Sequence, residues 1–283
     1  MKRILVLSGG GSHGSFEMGV VSRLIKEGKG GWDLITGVSA GCINACYLST
    51  IKKEDELDNI EIFKNLWSSL NNSNVLEYEF FLNGLSLYDS DFFKQKIESI
   101  LKDKKPLRPI LVSATSLSSS EPVVFNNDDI EKYGFTDIIM SSTAIPLVFQ
   151  PHSFLDDMFI DGGLTSNILF YDAVNYYLSN KNNSQCDKIS IDIVVCSKKI
   201  PKQSITKDNI TFLKLLEKTL NIIVQEIEYS EILKNINSPL DIDVTVYEQK
   251  NEMTVSFLDF DHGEELFNIG LDPSNIHEYK VEI

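Results

Sequence analysis

Two glycine-rich turns near the N-terminus constrain the fold more than any other feature of this sequence. The first is Gly-Gly-Gly-Ser-His-Gly at residues 9–14, and the second is Gly-Val-Ser-Ala-Gly at residues 37–41. Each turn follows a short apolar run and precedes a segment with helical spacing. In the second turn, small residues beside Ser39 permit a sharp strand-to-helix bend that presents the serine hydroxyl. The first turn can direct several backbone N–H groups at one point, so the pair is suited to acyl transfer.

The segments around these turns alternate between strand and helix patterns. Residues 3–7 and 32–36 are short apolar runs typical of buried strands, and residues 15–26 and 41–50 have the apolar spacing of helices. This alternation predicts an α/β fold with a parallel or mixed sheet covered by helices. Active sites of such sheets lie at the carboxyl ends of the strands, where both turns fall.

The rest of the chain continues this pattern less regularly. It predicts helices at residues 60–70 and 91–101 and from about 205 to 234, and strands at 109–114, 122–125, 158–160, 189–196 and 242–247, with partial alternation at 254–260. We expect a catalytic core over residues 1–200. Residues 201–283 add a C-terminal helix and strands, and because no linker composition separates them we assign them to the same domain.

Composition narrows the class of protein. The 283 residues are 42% hydrophobic and 24% charged, which is typical of a globular chain. The net charge of −15 disfavours nucleic acid as a partner and gives no general attraction to anionic lipid. No apolar run reaches the roughly 18 residues of a membrane span, and no secretory signal is recognisable. The four cysteines lack metal or disulfide spacing, and Cys42 and Cys46 suit packing on one helix face. We therefore expect a cytoplasmic protein, peripheral to membranes at most.

A third motif, Asp161-Gly162-Gly163, follows an apolar run much later in the chain. In that order, the three motifs resemble those of the patatin-like phospholipases, which have a G-G-G-x-[RK]-G loop, a G-x-S-x-G elbow and a D-G-[GA] turn. The stretches at residues 84–89, 112–125 and 141–146 are also similar to that family. The resemblance covers roughly residues 1–200 and implies a three-layer α/β/α patatin-like fold with a central, mostly parallel sheet.

The resemblance also implies a mechanism. Ser39 would be the nucleophile and Asp161 the base of a Ser-Asp dyad acting on lipid esters, with no metal or organic cofactor. A free aspartate is a weak base, so Asp161 would need to be desolvated or strongly positioned. The substrate would come from transient contact with a lipid surface, for which Phe80, Phe81 and Leu82 are candidates, although burial explains them more simply. The oxyanion hole would comprise Gly9, Gly10, Gly11 and Ser12, and the supporting motif residues are His13, Gly14, Gly37, Gly41, Gly162 and Gly163.

Two positions depart from the family pattern. His13 stands where the family has Arg or Lys, which replaces a permanent positive charge near the oxyanion by one that depends on pH. Leu169, two residues after Asn167, stands at the position of the usual proline. The His13 substitution keeps open a catalytically weak or inactive protein that binds lipid on the same fold.

Other functions also remain open on sequence alone. Gly9-x-Gly11-x-x-Gly14 fits a dinucleotide fingerprint, but the acidic residue at the required spacing, Asp33, begins the second strand instead of ending it. A Ser-acid-His triad would need His262 or His277, which resemble a turn histidine and a residue of a polar tail. Asp156-Asp157 is interpreted as a hairpin pair rather than a metal site, and His152 as a loop residue. Interception of an acyl-enzyme by an alcohol would make the chain an acyltransferase.

Overall fold

The computed structural model describes residues 1–78, 85–179, 188–196, 210–233, 241–251 and 253–281. The strands are β1 Lys2–Leu7, β2 Leu34–Val38, β3 Glu77–Tyr78, β4 Tyr88–Asp89, β5 Ile110–Ser116, β6 Pro122–Phe125, β7 His152–Phe154, β8 Asp157–Ile160, β9 Lys188–Val195, β10 Asp241–Gln249 and β11 Ile276–Val281. The α-helices are α1 Gly14–Lys26, α2 Ala40–Ser49, α3 Ile60–Ser68, α4 Asn72–Val75, α5 Asp91–Leu101, α6 Asn127–Tyr133, α7 Phe135–Ser142, α8 Phe170–Ser179, α9 Phe212–Leu233 and α10 Gly263–Leu271.

A central mixed sheet has the order β11-β10-β9-β1-β2-β5-β8-β7, with β6 also paired to β5. The five neighbours from β10 to β5 run parallel, and the outer strands are antiparallel. Strands β1 and β2 are in register with Leu7 opposite Gly37. Both strands therefore end at the same edge of the sheet, which brings the two glycine-rich turns side by side.

The core lies on both faces of this sheet. Strand β1 is buried on both sides, because Leu5 belongs to a cluster packed against α1 and α2, whereas Ile4 belongs to a cluster packed against α8. Continuous burial of this kind is typical of a parallel strand covered by helices on two faces. The expected three-layer α/β/α architecture with a mostly parallel sheet is confirmed. None of the described helices combines the length and apolar character needed to cross a bilayer.

The C-terminal part joins the same sheet. Strand β10 pairs parallel with β9, β11 pairs antiparallel with β10, and α10 packs on α1. We propose that the described residues beyond 200 belong to one domain with the core. Residues 254–260 contain no strand, because their backbone instead contacts the first glycine-rich turn. The expected polar tail around His277 is strand β11. Phe80, Phe81 and Leu82 lie outside the described residues.

Candidate active site

Ser39 occupies a sharp turn between β2 and α2. Its φ of 52° and ψ of −118° place it in a backbone region that non-glycine residues rarely adopt. The turn needs glycine on both sides, because a β-carbon on Gly37 would lie 2.1 Å from the carbonyl oxygen of Gly41, and one on Gly41 would lie 2.5 Å from that of Leu7. The Ser39 N–H donates to Ser142 Oγ at 2.8 Å. This arrangement presents the serine hydroxyl at the carboxyl edge of the sheet.

The hydroxyl of Ser39 meets the carboxylate of Asp161. Ser39 Oγ donates to Asp161 Oδ2 at 2.6 Å, across 122 residues of sequence. Asp161 directly follows β8, and its Oδ1 accepts from the N–H of Gly163 at 2.8 Å. The Asp161 carbonyl oxygen accepts from Thr115 Oγ1 at 3.0 Å. Both oxygens of the carboxylate are therefore held by donors, and its orientation toward Ser39 is fixed.

Burial makes Asp161 a stronger base than an ordinary aspartate. Desolvation raises its pKa to about 6, against the opposing effect of the hydrogen bonds from Ser39 and Gly163. The carboxylate is ionised at neutral pH. A general base is most effective when its pKa approaches the working pH, so Asp161 is suited to accept a proton from Ser39.

The first glycine-rich turn lies beside the nucleophile. A β-carbon on Gly9 would lie 3.1 Å from Ser39 Cβ. The Gly9 N–H donates to Asn167 Oδ1 at 3.1 Å, and the Ser12 N–H donates to the Phe257 carbonyl oxygen at 2.8 Å. The N–H groups of Gly10 and Gly11 have no acceptor within the described part of the chain. Gly9 and Ser12 thus brace the loop in this conformation, a departure from the expectation that they donate to an oxyanion.

His13 links the same loop to residues 255–256, which pack against it. Its Nε2 donates to the Val255 carbonyl oxygen at 2.9 Å, and the neighbouring Ser12 Oγ donates to the Ser256 carbonyl oxygen at 3.1 Å. Desolvation lowers the pKa of His13 to about 4. The imidazole is consequently neutral near pH 7. It tethers the loop instead of supplying the positive charge expected at this position.

The remaining motif glycines allow close packing around the site. A β-carbon on Gly14 would lie 2.4 Å from the Trp67 ring, one on Gly162 would lie 2.5 Å from the Ser113 carbonyl oxygen, and one on Gly163 would lie 2.6 Å from Asn167 Oδ1. Any side chain at these positions would displace the turns that carry Ser39 and Asp161.

Helix α9 holds the Asp161 loop through two buried glutamates. Glu228 Oε1 accepts from Asn167 Nδ2 at 2.5 Å, so Asn167 links this helix to Gly9. The Glu231 carboxylate accepts from Ser166 Oγ at 2.6 Å and from the N–H groups of Asn167 and Ile168 at 3.1 and 2.9 Å. Sequence analysis missed both residues, because glutamates on a long amphipathic helix normally face solvent. Only their contacts in the folded structure distinguish these two glutamates from the others on the helix.

A cavity of about 270 Å³ opens onto the dyad. Its wall combines the glycine loop, the Asp161 turn, residues 253–257 and helix α9. Apolar side chains in this wall include Ile145, Leu164, Leu220, Val224 and Phe257. Such a cavity can accept an acyl chain next to a polar reacting centre.

The histidines that could complete a triad are engaged elsewhere. His262 Nδ1 lies 3.1 Å from Asp259, and His277 Nδ1 lies 3.0 Å from Glu248. Neither histidine is among the described residues that line the cavity. His152 contacts Asp137 at 3.0 Å.

The acidic residues considered above for nucleotide or metal binding occupy structural positions in the fold. Asp33 precedes β2, at the edge of the sheet opposite Ser39, where it accepts from the Arg3 N–H at 2.9 Å and from Lys53 Nζ at 2.6 Å. Asp156 lies in the hairpin turn between β7 and β8, and Asp157 begins β8. Within the described ranges, no group of three His, Cys, Asp or Glu side chains is placed to hold a metal.

Comparison with known proteins identifies the family. The model of the patatin-like phospholipase family matches residues 5–174, more than half of the chain. The chain belongs to the patatin-like phospholipase family.

Individual relatives are more distant. A cGAMP-activated phospholipase of Escherichia coli (strain TW11681) is 29% identical over 195 residues, which are 58% of this chain and 52% of the relative. This chain therefore spans about half of that protein. A probable lipid hydrolase, 463L, of Invertebrate iridescent virus 6 is 27% identical over 209 residues, which are 66% of this chain and 68% of the viral protein. The structure of VipD from Legionella pneumophila aligns with 98% of this chain and 68% of its own, with a TM-score of 0.42 and 12% identity.

Proposed function

We propose that this chain is a serine-dependent lipid acyl hydrolase with Ser39 as nucleophile and Asp161 as general base. The observation that carries the proposal is the 2.6 Å hydrogen bond from Ser39 Oγ to Asp161 Oδ2. The buried carboxylate, with its pKa raised to about 6, supplies the basicity that a free aspartate lacks. Membership of a phospholipase family supports a lipid ester as substrate.

In the proposed acylation step, Ser39 Oγ attacks the ester carbonyl carbon while its proton passes to Asp161 Oδ2. The carbonyl oxygen becomes an oxyanion, which the N–H groups of Gly10 and Gly11 stabilise. Loss of one such donor costs about 10² to 10³ in rate. When the tetrahedral intermediate collapses, the ester C–O bond breaks. The leaving alkoxide takes the proton from Asp161, and the acyl group remains on Ser39.

Deacylation repeats these steps with water. Asp161 accepts a proton from the water, whose oxygen attacks the acyl carbon, and Ser39 leaves with that proton as the fatty acid is released. An alcohol in place of water would give acyl transfer. No metal or organic cofactor takes part in this scheme, and the substrates would be phospholipids, lysophospholipids or neutral lipid esters.

The alternatives have less support. A dinucleotide site needs an acidic residue at the carboxyl end of β2, and Asp33 lies at the amino end. A protein that binds lipid without turnover was favoured by His13. Because neutral His13 holds the loop through Val255, its presence does not argue against turnover.

Hydrolysis of a soluble short-chain chromogenic ester tests the proposal. The wild type should turn over, and Ser39→Ala and Asp161→Asn should each lose at least about a thousandfold in kcat. Ser22→Ala is the matched control, because Ser22 is a buried serine on α1 outside the cavity. It should retain full activity. Turnover by folded Ser39→Ala at the wild-type rate would refute the assignment.

A further inference from the structure

Helix α9 presents an apolar stripe to solvent. The outer stripe consists of Phe212, Leu215, Thr219, Ile222 and Ile223, whose spacing places them on one face of the helix. Phe212, Leu215 and Ile222 are 60%, 54% and 61% exposed. The Thr219 hydroxyl donates to the Leu215 carbonyl oxygen at 2.8 Å, so its hydrogen-bonding capacity is partly met within the helix. The stripe is therefore effectively apolar.

The other faces of the same helix have different roles. Leu216 and Leu220 are buried, while Glu217, Lys218 and Asn221 line the cavity. A surface helix normally turns its apolar face inward and its polar face to solvent. Here Leu220 and Val224 line the cavity together with polar side chains, and a second apolar stripe faces outward. Exposed apolar stripes of this kind mark interaction surfaces.

We propose that the outer stripe docks on the surface of a lipid aggregate and so brings the cavity of Ser39 to its substrate. This inference rests on the lipid hydrolase function proposed above. Two observations favour lipid over a protein partner. First, the stripe adjoins the substrate cavity, because the turns of α9 that carry Leu215 and Thr219 also carry the cavity-lining Lys214 and Lys218. Second, residues 210–225 contain two lysines and one glutamate in a chain whose net charge is −15, and the next acidic residue on the exposed face, Glu226, lies one turn beyond Ile222. The part of α9 that carries the stripe is therefore not acidic, unlike the chain as a whole.

Vesicle binding tests this surface separately from catalysis. All variants carry Ser39→Ala, so the lipid is not consumed, and vesicles contain phosphatidylcholine mixed with phosphatidylglycerol. The outer-stripe variant is Phe212→Ser, Leu215→Ser and Ile222→Ser together. The control variant carries three serine substitutions on other surfaces of the protein, at Leu57, Ile62 and Leu107. These side chains are similarly exposed, at 58%, 47% and 56% respectively.

Cosedimentation should show that the parent and control variant bind vesicles and that the outer-stripe variant binds at least about a hundredfold more weakly. With Ser39 restored, the outer-stripe variant should hydrolyse a soluble ester at the wild-type rate, because its three positions do not line the cavity. Equal binding by the two triple variants would overturn the proposal, as would absence of binding by the parent. A dimer that dissociates when the stripe is changed would assign the surface to a second copy. If the wild type fails on soluble ester, the proposed hydrolase function fails, but the binding result still decides the surface.

Discussion

Asp161→Asn should abolish activity and at the same time stabilise the fold. Burial raises the pKa of Asp161 from its ordinary 3.8 to about 6, so the native state holds a proton more tightly than the unfolded chain does. As pH rises from about 4 to above 6, the native state must carry a desolvated charge. At 1.36 kcal/mol per pKa unit, this costs about 3 kcal/mol at neutral pH.

Asparagine removes the charge and keeps the hydrogen bonds. Its amide oxygen can accept from the Gly163 N–H, and its NH₂ group can donate to Ser39 Oγ. We expect Asp161→Asn to raise the free energy of unfolding by about 1–3 kcal/mol at neutral pH. The gain should shrink to about a third near pH 4.5 and vanish only below about pH 3, where the wild-type carboxyl is protonated in both states.

Urea unfolding of wild type and variant at about pH 7.5 and about pH 4.5, followed by tryptophan fluorescence, measures this difference. Asp157→Asn is the control of opposite sign, because hydrogen bonds from Ser116 and Ser118 lower the pKa of Asp157. That substitution should reduce stability at neutral pH. The reasoning fails if Asp161→Asn is no more stable than wild type at neutral pH, or if its advantage persists unchanged at low pH.

Three further predictions concern the loops around the dyad. Activity on a soluble ester should fall about tenfold per pH unit below pH 6, because Asp161 becomes protonated. The His13→Gln variant should show the same fall in activity at the same pH. A fall displaced to another pH in that variant would make His13 the titrating group. Asn167→Ala removes the acceptor of the Gly9 N–H, so kcat should fall about 10- to 100-fold with KM little changed, and a change below about twofold in kcat would contradict this. Glu231→Gln should lower the free energy of unfolding by about 1–3 kcal/mol in thermal or urea melts. Its exposed helix neighbour Glu226, changed to Gln, should stay within about 0.5 kcal/mol, and equal losses would argue against the role of Glu231.

The architecture was predictable because local signals and the fold agree. Apolar runs at β1 and β2, each ending in a glycine-rich turn, allow few arrangements other than parallel strands with both turns at one edge. The small residues around Ser39 specify the elbow locally, since Gly37 and Gly41 have no room for a β-carbon. Such features depend on neighbouring residues and so leave a pattern in the sequence.

The bracing of the site could not be predicted in this way. Ser142, Asn167, Glu228 and Phe257 contact the site from segments distant along the chain, and each has an ordinary local context. The partial alternation at residues 254–260 predicted no more than a strand-like segment. Its carbonyl groups instead bind the loop that carries His13. Contacts set by tertiary packing leave no periodic signal.

The central claim is that Ser39 is an activated nucleophile, and covalent labelling tests it most directly. The protein would be treated with a fluorophosphonate probe and digested, and the adduct located by peptide mass spectrometry. The account predicts one adduct on Ser39, slower labelling in Asp161→Asn because the base is lost, and none in Ser39→Ala. An adduct on another residue, or a folded wild-type protein that does not react, would contradict it.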